Sequence, residues 1–223
     1  MGMNTTFVLV PGAGGAAWYW HRVVAELERR GRGAIAVDLP AHDDSAGLSE
    51  YTDVVIEAIG DRRPIVLVAQ SMGGFTAPLV CERVPVSLLI LVNAMVPKPG
   101  ETGNEWWEAT RWKDAAGEID MDDAFFHDVP EDVKAVAQAE EPPQSGTPFA
   151  EPWPLAAWPD VPTRFVQGRD DRFFPLEYQR RIVRERLGIG VEEVPGGHLA
   201  ALSRPVELVD TLEELARRIG LVE

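Results

Sequence analysis

The segment Leu67-Val68-Ala69-Gln70-Ser71-Met72-Gly73-Gly74 places a serine between an apolar run and a stretch with helical spacing. A serine on a sharp strand-to-helix turn presents its hydroxyl at the edge of a sheet, the arrangement of the G-x-S-x-G nucleophile elbow. The turn is tight, so the residues flanking the serine must be small. Ala69 stands at the first glycine position, Gly73 at the second, and Gly74 adds room. At the head of the following helix, the Met72 N–H and the helix dipole are placed to stabilise a developing oxyanion. The competing reading of Ser71 is an ordinary helix-capping serine.

A serine hydroxyl is a weak nucleophile without a base. The chain has four histidines: His21, His42, His127 and His198. His198, in Pro195-Gly196-Gly197-His198, follows the last expected strand and falls on the same sheet edge as Ser71. His42 follows the second run on that edge and is the nearest competitor, although a loop residue is expected there. His21 lies within a helix and His127 within a polar middle stretch, both more easily read as structural. The base needs an orienting carboxylate. Phe165-Val166-Gln167-Gly168-Arg169-Asp170-Asp171 offers two on that edge, and physical reasoning leaves Asp170 and Asp171 open. The loop Pro11-Gly12-Ala13-Gly14-Gly15 is placed to give a second oxyanion donor, the Ala13 N–H. The same glycines match a dinucleotide-binding loop weakly, with Asp38 near the position of a ribose-binding acid. That reading leaves Ser71, His198 and the paired aspartates without a role.

These residues need a scaffold that brings them together. Runs rich in apolar residues over Phe7–Val10, Ala34–Val37, Ile65–Ala69 and Ser87–Asn93 read as strands, and so do Thr163–Gln167 and Gly190–Val194, where the alternation with helices returns. Helical spacing covers Trp18–Arg30, Glu50–Ile59, Met72–Arg83, Leu176–Leu187 and Val206–Ile219. Strand alternating with helix implies a mainly parallel six-stranded sheet with helices on both faces. Residues 97 to about 155 are rich in proline, acids and tryptophan, with helical spacing near Glu105–Trp112 and Glu131–Gln138. We expect a core of 1–96 and 156–223, and a small helical cap over 97–155, inserted after the fourth strand. In such sheets ligands bind at the carboxyl ends of the strands.

The totals fit one globular domain: 223 residues, 45% hydrophobic and 26% charged. A net charge of −15 repels nucleic acid and anionic membranes. The single cysteine, Cys81, excludes an internal disulfide and a cysteine-based zinc site. The N-terminus lacks the basic and apolar regions of a signal peptide, so a cytoplasmic location is expected.

With these residues placed, the chain resembles the α/β-hydrolase superfamily over nearly its whole length. More narrowly it is similar to the branch of plant methylesterases and hydroxynitrile lyases and their bacterial relatives. The resemblance rests on Phe7–Ala13, Trp18-Tyr19-Trp20, Ala69–Gly74 and Gly197–Pro205. It implies a triad of Ser71, Asp171 and His198, in the chain order of that fold. It selects Asp171 by its spacing from Gly168, leaving Asp170 as a loop or salt-bridge residue near Arg169 or Arg172. It also implies oxyanion donors at Ala13 and Met72, and no metal or organic cofactor. Pro11 replaces a histidine common before the loop glycine, which matters little if the donor is a backbone N–H. Cyanohydrin-cleaving members carry a lysine after the catalytic histidine and a threonine in the oxyanion loop. Leu199 and Gly12 occupy those positions here, which favours ester hydrolysis.

The expected activity is that of a carboxylesterase on a small hydrophobic or aromatic ester. A C–C bond lyase or hydrolase on the same triad and a non-catalytic small-molecule receptor are the rivals. Met95, Trp106, Trp107 and Phe125 are the candidate substrate-binding residues, with Trp112 and Phe126 as further aromatics. Each aromatic alone is more readily explained as a pin holding the cap to the core.

Overall fold

The computed structural model describes residues 5–139 and 143–223. Residues 1–4 of the expected core and 140–142 of the expected cap lie outside the described residues. Six strands are present: β1 (Thr6–Val10), β2 (Gly33–Ala36), β3 (Ile65–Gln70), β4 (Leu88–Val92), β5 (Thr163–Gly168) and β6 (Glu192–Val194). They form one sheet in the order β2-β1-β3-β4-β5-β6, and every pairing is parallel. The expectation of a mainly parallel sheet thus becomes an entirely parallel one.

The helices are α1 (His21–Arg29), α2 (Leu48–Ile59), α3 (Gly73–Arg83), α4 (Gly103–Ala109), α5 (Trp112–Ala116), α6 (Met121–Phe126), α7 (Glu131–Ala139), α8 (Thr147–Ala150), α9 (Leu176–Leu187), α10 (Ala200–Ser203) and α11 (Pro205–Arg217). Helices α4 to α8 all fall between β4 and β5. The single helix expected over Trp18–Arg30 is a 3-10 turn at Ala17–Trp20 followed by α1. The one expected over Glu105–Trp112 is split between α4 and α5, because Arg111 adopts a left-handed φ of 56°. Among the described residues, no helix is long and apolar enough to cross a membrane.

The central strands are buried on both faces, which explains their unbroken apolar runs. Their side chains alternate between two cores. Phe7, Leu9, Val66, Val68 and Ile90 pack with Val23 and Leu27 of α1 and with Leu208, Leu212 and Leu215 of α11. Val8, Val10, Leu67, Leu89 and Leu91 pack with α2, α3 and α9 through Val55, Phe75 and Ile182.

Helix α3 comes unusually close to the loops around it. A Cβ on Gly73 would lie 2.8 Å from the Pro11 carbonyl oxygen, and one on Gly74 would lie 1.9 Å from that of Met95. Glycine at these two positions is therefore a packing requirement. The open position Gly190 has nothing within 4 Å of such a Cβ. We predict that Gly74→Ala costs about 1–3 kcal/mol, read as a fall in the midpoint of thermal unfolding, with Gly190→Ala as the unaffected comparison.

On the opposite face, α1 and α11 are joined by charge. Glu26 accepts from Arg29 and Arg30, Arg30 reaches Asp210 and Glu213 at 2.6 and 2.9 Å, and Arg32 reaches Glu213 at 2.6 Å. Hydrogen bonds from Arg29 and then Arg30 lower the Glu26 carboxyl from 4.5 to about 2. A carboxyl depressed on folding stabilises the fold above its unfolded value and loses that contribution as pH falls toward the folded one. Glu26→Gln should therefore lower thermal stability at neutral pH and flatten its decline between about pH 4.5 and pH 2, as measured by unfolding scans across that range.

Candidate active site

Parallel strands bring the loops after β1, β3, β4, β5 and β6 to one edge. Ser71 occupies the turn between β3 and α3, with a φ of 53°. A non-glycine residue in this region carries strain of about 1–3 kcal/mol and persists only where its surroundings hold it. Three backbone bonds do so: Ser71 N–H donates to Val92 C=O at 3.3 Å, and Ser71 C=O accepts from Met95 N–H and Gly74 N–H at 2.9 and 3.1 Å. Small neighbours complete the turn. A Cβ on Gly12 would lie 2.8 Å from that of Ser71.

His198 follows β6 and is 1% exposed. Its Nε2 lies 3.2 Å from Ser71 Oγ and its Nδ1 lies 2.9 Å from Asp171 Oδ2. The edges of Phe125, Phe173 and Phe174 surround the imidazole at centroid distances of 4.9–5.1 Å. Asp171, also buried, accepts at Oδ1 from the Phe173 and Phe174 N–H groups, each at 2.8 Å, and at Oδ2 from Gln167 Nε2 at 3.1 Å. These contacts turn the carboxylate toward the imidazole. The arrangement offers Ser71 Oγ a proton acceptor whose far nitrogen is held by a buried anion.

The other sequence candidates lie elsewhere. Asp170 Oδ2 accepts from Gly196 N–H at 3.2 Å. It pairs with neither arginine expected near it: Arg169 lies 3.4 Å from Glu193 and Arg172 lies 2.6 Å from Asp123. His21 Nδ1 is 2.7 Å from the Trp18 carbonyl, His127 Nδ1 is 3.2 Å from that of Asp123, and His42 is exposed. Asp38 accepts from Ala17 N–H at 2.7 Å and so caps the 3-10 turn. Burial raises the Cys81 thiol to about 12, so it is protonated at neutral pH.

Ser71 and His198 open into a cavity of about 530 Å³. Gly12, Ala13 and Met72 line it on one side. Met95, Trp107, Phe125 and Phe126 line it, together with Tyr19, Gln70, Pro143, Gln144, Phe149, Phe173 and Leu199. Neither the Ala13 nor the Met72 N–H has a hydrogen-bond acceptor among the described residues.

Trp106 is the correction. It is fully buried, donates from Nε1 to the Val96 carbonyl at 3.0 Å, and does not line the cavity. Adjacent residues of a helix point about 100° apart, so Trp107 faces the cavity where Trp106 pins α4 to the core. Trp112 is a second pin, donating to the Phe173 carbonyl at 2.7 Å. The lining residue Phe173 carried a usable signal in the sequence, since it follows Asp171 on the same loop. Gln144 carried none.

A family described as "Alpha/beta hydrolase family" matches residues 7–211. "Probable esterase PIR7A" of Oryza sativa subsp. indica is 28% identical over 95% of this chain and 97% of its own length. "Putative methylesterase 14, chloroplastic" of Arabidopsis thaliana is 28% identical over 95% of this chain and 72% of its own. The crystal structure of polyneuridine aldehyde esterase superposes with a TM-score of 0.80 at 21% identity, covering 96% of this chain and 99% of that one. A pyrethroid hydrolase from Sphingobium faniae JZ-2 superposes with a TM-score of 0.77 at 22% identity, covering 96% and 97%. The structural likenesses speak for the fold, and the match over residues 7–211 shows that this chain belongs to the alpha/beta hydrolase family.

Proposed function

We propose that the protein is a carboxylic ester hydrolase that uses Ser71 as nucleophile, His198 as general base and acid, and Asp171 as the partner of the imidazole. The observation that carries this reading is the continuous path from Ser71 Oγ to His198 Nε2 at 3.2 Å and from His198 Nδ1 to Asp171 Oδ2 at 2.9 Å, opening into an apolar cavity. The esterase names of relatives aligned over 95% of the chain support it.

Ser71 Oγ attacks the ester carbonyl as His198 Nε2 takes its proton. The Asp171 carboxylate stabilises the imidazolium without taking a proton from it. The carbonyl oxygen, now negative, accepts from the Ala13 and Met72 N–H groups. Collapse of this intermediate breaks the bond to the alcohol, which leaves with the proton from His198. Water then attacks the acyl-Ser71 ester with His198 again as base, releasing the acid and restoring the serine.

The substrate class follows from the wall. Trp107, Phe125, Phe126 and Phe149, with Pro143 and Gln144, come from the segment 97–155, which acts as the cap. No carboxylate, ammonium or guanidinium lines the cavity among the described residues. A neutral ester of small-molecule size, with an apolar or aromatic group, fits this surface.

A fluorophosphonate probe with peptide mass spectrometry tests the nucleophile. Label should be found at Ser71, and Ser71→Ala should abolish it and lower ester hydrolysis by about 10⁴-fold or more. A folded, unlabelled wild-type protein would sink the proposal. Trp107→Ala tests the wall: KM for aromatic esters should rise about tenfold with kcat kept, while KM for short aliphatic esters changes little. Equal changes for both substrate sets would remove Trp107 from substrate contact.

A further inference from the structure

The loops carrying Asp171 and His198 leave different strands, β5 and β6, yet the imidazole and carboxylate must meet within hydrogen-bond distance. The residue placed to set their separation belongs to neither loop. Asn93 follows β4, is fully buried, and does not line the cavity. Its Oδ1 accepts from Gly168 N–H, at the root of the Asp171 loop, at 2.6 Å. Its Nδ2 donates to the carbonyls of Gly197 and His198 at 3.1 and 2.9 Å. One planar amide thus grips both loops, with its oxygen on one and its nitrogen on the other.

The contact is closely built from both sides. A Cβ on Gly168 would lie 2.6 Å from the carbonyl oxygens of Gly196 and Gly197, so the loops touch directly beside the amide. Asn93 has a φ of 46°, a region that asparagine tolerates better than most residues. Its N–H donates to Val166 C=O at 2.9 Å, which fixes its backbone to β5. The His198 carbonyl also receives Gln70 Nε2, at the longer distance of 3.3 Å. Neither aspartate nor leucine, the nearest side chains in size, supplies both an acceptor for Gly168 and a donor for His198.

We propose that Asn93 is a positioning residue that holds the Asp171 and His198 loops at the separation required for the Nδ1–Oδ2 contact. The inference rests on the triad reading above. Asn93 acts on the rate of acyl transfer and leaves substrate binding alone, since it is buried and does not line the cavity.

The test uses Asn93→Gly, which keeps the backbone conformation and removes the amide. Three quantities are read: the rate of fluorophosphonate labelling at Ser71, kcat and KM for an ester substrate, and the downfield proton resonance of His198 Nδ1–H bonded to Asp171. We expect labelling rate and kcat to fall about 10- to 100-fold, KM to stay unchanged, and the resonance to be lost or displaced in a protein that still unfolds cooperatively. A folded variant with wild-type labelling and an undisturbed resonance overturns the proposal. If Asn93→Gly does not fold, Asn93→Asp decides on the same readouts, because it preserves shape and the Gly168 contact while removing both donors. Failure of the wild-type protein to label at Ser71 would count against the catalytic reading. The resonance would still report whether Asn93 sets the histidine–aspartate contact.

Discussion

The arrangement at the sheet edge depends on a buried carboxylate that pairs with no lysine or arginine among the described residues, the neighbouring Arg172 being paired with Asp123. An ionised group taken out of water is costly unless hydrogen bonds replace its hydration. Asp171 receives two backbone N–H groups from Phe173 and Phe174, the Gln167 amide and the His198 imidazole. These donors also orient it. Since Oδ1 is committed to the backbone, Oδ2 is left to the imidazole, whose other nitrogen then faces Ser71. The aromatic edges around His198 exclude water from the same space and strengthen these contacts.

This polar chain is held by backbone geometry that glycine makes available. Gly12, Gly73 and Gly74 let the first loop, β3 and α3 crowd around Ser71, and Gly168 lets the fifth and sixth loops touch. The left-handed conformations of Ser71 and Asn93 sit at the ends of adjacent strands, β3 and β4, and are linked through Val92 and Met95. Local strain at both points is stabilised by burial of β3 and β4 on both faces.

The parts of this site that could be read in the sequence were those fixed by chain-local pattern. Unbroken apolar runs located β1, β3 and β4, because a strand covered on both faces has no polar positions to interrupt it, whereas β5 and β6, which carry Arg164, Glu192 and Glu193, were located by the alternation of strand with helix. The elbow around Ser71 and the glycines before His198 were visible for the same reason, being local backbone requirements. Contacts made across the fold were not visible. The choice between Asp170 and Asp171 depends on how the loop between β5 and α9 aims two adjacent carboxylates, which residue types alone do not encode. Trp106 and Trp107 differ only in the side of one helix they occupy, so one became a buried pin and the other a cavity wall. Asn93 looked like the last residue of a strand, and its grip on two distant loops could be seen only in three dimensions.

The cavity divides into two surfaces with different origins. The polar surface comes from residues at strand ends: the loop after β1, the elbow, and the loop after β6. The apolar surface comes mainly from side chains of the segment between β4 and β5. The two meet at Gln144, whose Oε1 accepts from Gly14 N–H at 2.8 Å, next to Ala13. Ser145 N–H donates to the Ala41 carbonyl at 2.7 Å and anchors the same segment to the loop after β2. Side chains on short helices can change size without disturbing the strand ends, whereas the strand-end residues are constrained by glycine contacts and left-handed backbone. The shape of the apolar wall is therefore the more adaptable property of this cavity, and the Ser71–His198–Asp171 geometry the more rigid one. A change at Gln144 would break this separation, because it touches both surfaces.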